Sequence, residues 1–164
     1  MIELRTLGGL SVQSGDQQRM LARRMPLALL TILAVAAPHG VARDKLLALL
    51  WPDLDLEHAR NALNQTLFGI RRDLGRPDVV VGRSDLRLNL DVVSCDLVRF
   101  VNAATAGDPA AAVAQYTGPF LDGFFLSDAP EFERWVEETR GRLARRAVGL
   151  LRDLATAAER AGDL

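Results

Sequence analysis

The chain has little of what catalytic and metal sites are built from. Its single cysteine, Cys95, excludes an internal disulfide and makes a cytoplasmic location the expectation. Cys95 follows Ser94 near an expected helix start, where a thiolate can be stabilised, although a lone cysteine is more often a small half-buried residue. Of the two histidines, His39 lies in a Pro-His-Gly turn and His58 sits beside Glu57 at a helix start. Neither has partners at metal-ligand spacing. No glycine-rich phosphate loop of the Walker or dinucleotide type occurs. The expectation is therefore a protein that is no enzyme and carries no cofactor or metal. Long apolar runs are also lacking. The stretch 25–37 follows Arg23-Arg24 and ends in small residues, as a secretory leader would, but strand-like sequence at 2–21 precedes it. It is too short to span a bilayer, and Pro26 at its opening suits a buried first helix. No membrane partner is expected.

What is present is ordinary for a folded soluble protein: 164 residues, 49% hydrophobic and 25% charged. The net charge of −1 is unevenly divided. Residues 1–90 carry 12 Arg and Lys against 9 Asp and Glu, whereas residues 91–164 carry 8 against 12. A net +3 in the first part and −4 in the second suit a DNA-facing front half and a partner-facing second half. The positive balance is modest, so a single copy should bind with moderate affinity, and dimerisation or paired sites would matter.

Imperfect alternation over 2–21, broken at Gly8-Gly9 and 14–16, predicts short antiparallel strands with Ile2, Leu4, Leu10 and Val12 facing a core. Helices are expected at 26–37, 43–51 and 57–74, separated by Pro38-His-Gly40 and Pro52-Asp53, and strands at 79–81 and 86–90. Trp51 closes the second helix before Pro52. With Leu47, Leu50, Leu63 and Leu67 it is expected in the core that sets the angle between the second and third helices. From Asp91 onward the sequence turns helical and alanine-rich, with helices at 95–106, at 109–116 and from Pro130 to about Ala161. Paired short helices with small residues suggest tetratricopeptide-like packing. Phe132, Trp135, Val136, Leu143, Val148, Leu151 and Leu154 form an apolar stripe on the last helix, expected in the core unless part of it is an exposed interface.

Helix 57–74 carries the functional signal. At 100° per residue, Ala59, Leu63, Leu67, Ile70 and Leu74 make one apolar stripe. The opposite stripe is Asn61, Gln65, Phe68 and Arg72, flanked by Asn64 and Arg71. Amides that bond adenine edges, arginines that bond guanine or phosphate, and an apolar group suited to a thymine methyl are what a major-groove helix uses. An ordinary solvated face has the same residue types, so context decides. A helix, a turn, a second amphipathic helix and then a hairpin is the order of a winged helix-turn-helix.

Within that order, Arg60-Asn-Ala-Leu63 and Ile70-Arg-Arg-Asp-Leu-Gly75 resemble the recognition-helix signature of the bacterial antibiotic-regulatory-protein-like (SARP) activators. These join an OmpR-type DNA-binding domain to a bacterial transcriptional activation domain (BTAD). Leu4-Arg-Thr-Leu-Gly-Gly-Leu-Ser-Val12 resembles the family's opening strands, and Leu46-Leu-Ala-Leu-Leu-Trp-Pro-Asp53 its second helix and turn. Val93-Ser-Cys-Asp96 and Tyr116-Thr-Gly-Pro-Phe-Leu-Asp-Gly123 resemble the start and middle of the activation domain. Phe68 and Gly69 depart from the pattern, standing where OmpR-type helices are usually polar or basic. The resemblance implies an α+β fold: an OmpR-type winged helix-turn-helix with N-terminal antiparallel strands over 1–91, then an all-α tetratricopeptide-like domain over 92–164. The family's activation domain is longer than that, so the chain is expected to carry its first part.

The candidate DNA contacts follow. Asn61, Asn64 and Gln65 would read base edges, and Arg71 and Arg72 would supply affinity. Arg23 and Arg24 precede the first helix and Arg43 and Lys45 open the second, where cations and helix N-termini jointly hold phosphates. Arg83 at the wing tip either enters the minor groove or merely solubilises a turn. Phe68 either touches thymine methyls or is covered by the helical domain. The function implied is a sequence-specific transcriptional activator on double-stranded promoter DNA, with helix 57–74 in the major groove and hairpin 79–90 as wing. Homodimer formation on DNA and contact with RNA polymerase would fall to the helical domain. The alternative is a regulatory protein-interaction module of a larger signalling protein, without DNA binding.

Overall fold

A computed structural model describes residues 1–15 and 19–162; the Asp16 end of the expected break at 14–16 lies outside them. Strands β1 (Ile2–Arg5), β2 (Ser11–Ser14) and β3 (Arg19–Leu21) form an antiparallel meander, with Leu4 opposite Val12 and Val12 opposite Leu21. Ile2, Leu4, Val12 and Leu21 are buried, while Leu10 is only half-buried against the core. Period-two alternation produces this one-sided burial.

The sheet has a fourth strand. β7 (Val93–Cys95) runs parallel to β1 on its free edge, Ile2 opposite Val93 and Leu4 opposite Cys95. The sequence expectation of a helix from 95 is corrected here: helix α4 spans Asp96–Thr105, and Cys95 is a strand residue. The edge of β1 has main-chain groups to satisfy, and Val93 and Cys95 supply the buried side of a short strand. Cys95 is itself 2% exposed, and burial pushes its thiol up to about 12. It is an inert buried residue rather than a reactive thiolate.

Between these strands lies the expected helix order. Helix α1 (Arg24–Ala36) is buried at every position from Pro26 to Ala34. Strand β4 (Val41–Ala42), helix α2 (Arg43–Leu50), helix α3 (Leu56–Leu74), and strands β5 (Val80–Val81) and β6 (Asp85–Leu88) follow. The three strands form a second sheet in the order β4-β6-β5. Asp55 caps α3 by accepting from the His58 N–H at 2.9 Å, and Gly75, at φ 68°, ends it in the left-handed conformation. All five stripe residues, Ala59, Leu63, Leu67, Ile70 and Leu74, are buried. The β5–β6 turn needs Gly82: its φ is 106°, and a Cβ there would stand 2.0 Å from the Asp85 carbonyl oxygen. Leu47, Leu50, Leu63 and Leu67 are buried as expected, but Trp51 is only half-buried at the end of α2.

The second half packs α4 on α5 (Pro109–Gln115) and α5 on the long α6 (Pro130–Gly162). Residues 116–129 wind back to the first sheet. The Leu121 N–H donates to the Thr6 carbonyl at 2.8 Å and the Gly8 N–H to the Pro119 carbonyl at 3.0 Å. A Cβ at Gly118 would lie 2.9 Å from the Gly8 Cα, so these backbones meet only as glycines. The buried Asp96 carboxylate accepts from the Thr6 N–H at 2.9 Å, the Leu7 N–H at 3.0 Å and the Leu97 N–H at 2.7 Å. Phe120, Phe124, Phe132 and Trp135 pack ring against ring. One hydrophobic core thus runs through both halves. On α6, Phe132, Val136 and Leu143 are buried and Trp135 and Leu154 half-buried, whereas Val148 and Leu151 are exposed. Among the described residues no helix is long and apolar enough to cross a membrane.

Candidate nucleic-acid interface

The outer face of α3 presents Asn61, Asn64, Gln65, Phe68, Arg71 and Arg72, all exposed. Two structures frame it. On one side stands the β5–β6 turn with Arg83 exposed at its tip. Arg43 ties this turn to the helix: its N–H donates to the Ser84 carbonyl at 3.2 Å, its Nε to the Arg83 carbonyl, and its Nη1 to the Asn64 Oδ1 at 3.4 Å. A hollow of about 440 Å³ separates the turn, the α2 start and α3; Arg60 also lines it. Arg60 opens the helix signature but had no contact role in the sequence reading; it lies four residues before Asn64 and therefore on the same helix face. Lys45 is exposed on the first turn of α2.

The other side is framed by Arg23, which shares a hollow of about 380 Å³ with Asn64, Gln65, Phe68, Gly69 and Arg72. Phe68 is 64% exposed, and the Arg72 guanidinium lies 5.9 Å from its ring centroid. The helical half does not cover Phe68, which removes one of its two readings. Arg72 Nε also bonds Asp73 at 3.0 Å, and its carbonyl accepts from Arg19 Nη1 at 3.1 Å. Arg19, on β3, is a second cation the sequence did not point to, because only the packing of β3 on α3 brings it there. Arg71 Nη2 reaches the Val80 carbonyl at 3.4 Å and so lies on the wing side.

Arg24 behaves differently from Arg23. Its guanidinium donates to the Phe125 carbonyl and lies 5.8 Å from the Phe124 ring centroid. The structure therefore brings Arg23 to the α3 face and ties Arg24 to the helical half. Arg23 is the extended N-cap residue and Arg24 the first helical one, so their side chains diverge, and Phe124 and Phe125 lie on the side Arg24 faces. Arg76 is committed too: it pairs with Asp78 through two 3.0 Å bonds, which hold that carboxyl below its ordinary value.

No family model matches the chain, and no curated protein matches it. Among solved structures it is similar to Mycobacterium tuberculosis EmbR in complex with a low affinity phosphopeptide, with a TM-score of 0.67 and 24% identity. The similarity covers 91% of this chain and 43% of that one, so the chain spans less than half of EmbR's length. At this identity the likeness shows a shared fold: mixed α+β, with N-terminal strands and a C-terminal helix, carried across both halves of the chain.

Proposed function

We propose that the chain is a sequence-specific DNA-binding transcriptional regulator, an activator of the SARP type, with α3 in the major groove and the β5–β6 hairpin as wing. The observation that carries this reading is the framed outer face of α3: exposed amides and arginines on a helix whose other face is wholly buried, with the wing tied to it through Arg43. Asn61, Asn64 and Gln65 read base edges. Phe68 meets thymine methyls. Arg71 and Arg72 supply affinity, Arg23, Arg43, Lys45 and Arg60 hold phosphates, and Arg83 enters the adjacent minor groove. Arg24 drops out, because its guanidinium serves the contact with Phe124 and Phe125. The mixed α+β fold shared with EmbR accords with the reading. The tetratricopeptide-like helical half serves homodimer formation on DNA or contact with RNA polymerase.

The test is selection of bound oligonucleotides from a random duplex pool at a fixed salt concentration. An enriched motif is the expected result; its absence overturns the reading. One observation favours the alternative, a protein-interaction module: the exposed Phe68 ring, an aromatic anchor of the kind protein interfaces use.

A further inference from the structure

A cavity between the two halves takes no part in the α3 face. Its floor and walls are Ala34 and Val35 from the end of α1, Leu97, Val98 and Val101 from α4, and Leu143 from α6, enclosing about 280 Å³. Ala34, Leu97 and Leu143 are buried. The hollow is near the lower end of small-molecule sites, which start at about 300 Å³.

The mouth has the opposite character. Asn102, Arg142 and Arg146 line it, and no carboxylate does. Arg142 and Arg146 are four residues apart on α6, so they share one helix face. Among the described residues Arg142 has no hydrogen-bond or ion-pair partner, and Arg146 has only the Thr105 hydroxyl at 3.4 Å. On the same helix Arg134 pairs with Glu131 at 2.9 Å and Arg140 with Glu137, whereas Arg145, Arg152 and Arg160 have no ion pair among the described residues but line no cavity with an apolar floor. What sets Arg142 and Arg146 apart is their place: both line an apolar hollow whose lining holds no carboxylate.

We infer that this cavity binds a small amphipathic carboxylate, its apolar body in the hollow and its carboxylate between Arg142 and Arg146. Guanidinium forks match the two carboxylate oxygens, and the Asn102 amide stands beside them as a further donor. The size of the hollow restricts the body to one small aromatic system or a short alkyl chain. Binding here is independent of whether α3 reads DNA.

The test uses the full chain and three probes: 2-naphthoate, octanoate and the neutral 2-naphthamide. Titration calorimetry gives affinity, and backbone amide shifts give location. At least one carboxylate should bind and move the Val35, Val98 and Val101 amides; which of the two does so identifies an aromatic or an alkyl body. The R142Q/R146Q variant should weaken that binding by about tenfold or more, and the amide should bind both proteins weakly and alike. A second variant, Val101→Trp, fills the hollow while keeping both arginines, and should abolish binding. No carboxylate binding, shifts elsewhere on the chain, or a carboxylate affinity unchanged in either variant would overturn the assignment.

Discussion

Helices α3 and α6 are alike as sequences, each with an apolar stripe at helical spacing and an arginine-rich outer face. They differ in what surrounds them. The α3 stripe is covered from Ala59 to Leu74, and its outer face stands between the wing and Arg23. The α6 stripe is covered as far as Ala147; beyond it Val148 and Leu151 are 46% and 51% exposed. Arg140 on α6 turns inward, donating to the Phe120 carbonyl at 2.9 Å and holding the 116–129 segment in place. Arginine on a helix is thus as much a structural tie as a ligand contact. What makes the α3 face a candidate reader is a rigid backing together with flanking elements that shape a surface.

The largest expected effect separates the two stripes. Leu63 is 1% exposed beneath the α3 face, and Leu63→Ala should cost about 2–5 kcal/mol in urea unfolding through transfer and cavity losses. Leu151→Ala, at a surface position, should stay within about 0.5 kcal/mol. Trp51→Ala falls between them, below the about 3–5 kcal/mol of a fully buried aromatic, because its ring is only half-covered. Equal losses for Leu63 and Leu151 would mean that the outer end of α6 is buried against something else, and the contrast between the helices would collapse.

The sequence made the α3 stripe legible because five apolar residues recur at 3.6-residue spacing over several turns. The β5–β6 hairpin was legible from two short apolar runs around a glycine turn. Strand β7 was not: its three residues have no measurable period, and only pairing with β1, some ninety positions earlier in the chain, makes them a strand. The fates of Arg23 and Arg24 were equally hidden. Sequence reading treats them as a pair, whereas the structure separates them through Phe124 and Phe125. For the candidate interface, the outward residues of α3 could be placed from the helix wheel alone. Arg19 could not, because strand-to-helix packing brings it beside Arg72.

The interface itself is tested next. Replacing Arg71 and Arg72 with Ala should weaken DNA binding and lower the slope of affinity against salt by about one to two charges' worth. Replacing Arg145 and Arg152, exposed on α6, should leave both unchanged. A salt slope that responds only to the α6 pair would move the DNA site to the helical half. At single-residue resolution, Gln65→Ala should cost about 1–3 kcal/mol on the selected motif and little on random duplex. Equal losses on both would make Gln65 a backbone contact rather than a reader.

The smallest expected effect concerns the frame rather than the contacts. Asp55 caps α3, and the bond from the His58 backbone N–H, joined by one to the His58 ring, holds its carboxyl below the ordinary value of 3.8. A carboxyl depressed in the folded state stabilises it above the unfolded pKa, and that stabilisation disappears as pH falls through the folded value. Asp55→Ala should therefore melt at a lower temperature than the wild type at neutral pH, and the gap should close as pH drops below 3.8. Asp55→Asn keeps a capping oxygen that does not titrate, so its melting temperature should fall less at neutral pH and vary less with acid. Leu151→Ala removes no titrating group, so the same acid range should leave its effect unchanged. A gap between Asp55→Ala and wild type that persists undiminished at low pH would show that the alanine acts through helix propensity or the unfolded chain, and not through the loss of the carboxylate cap.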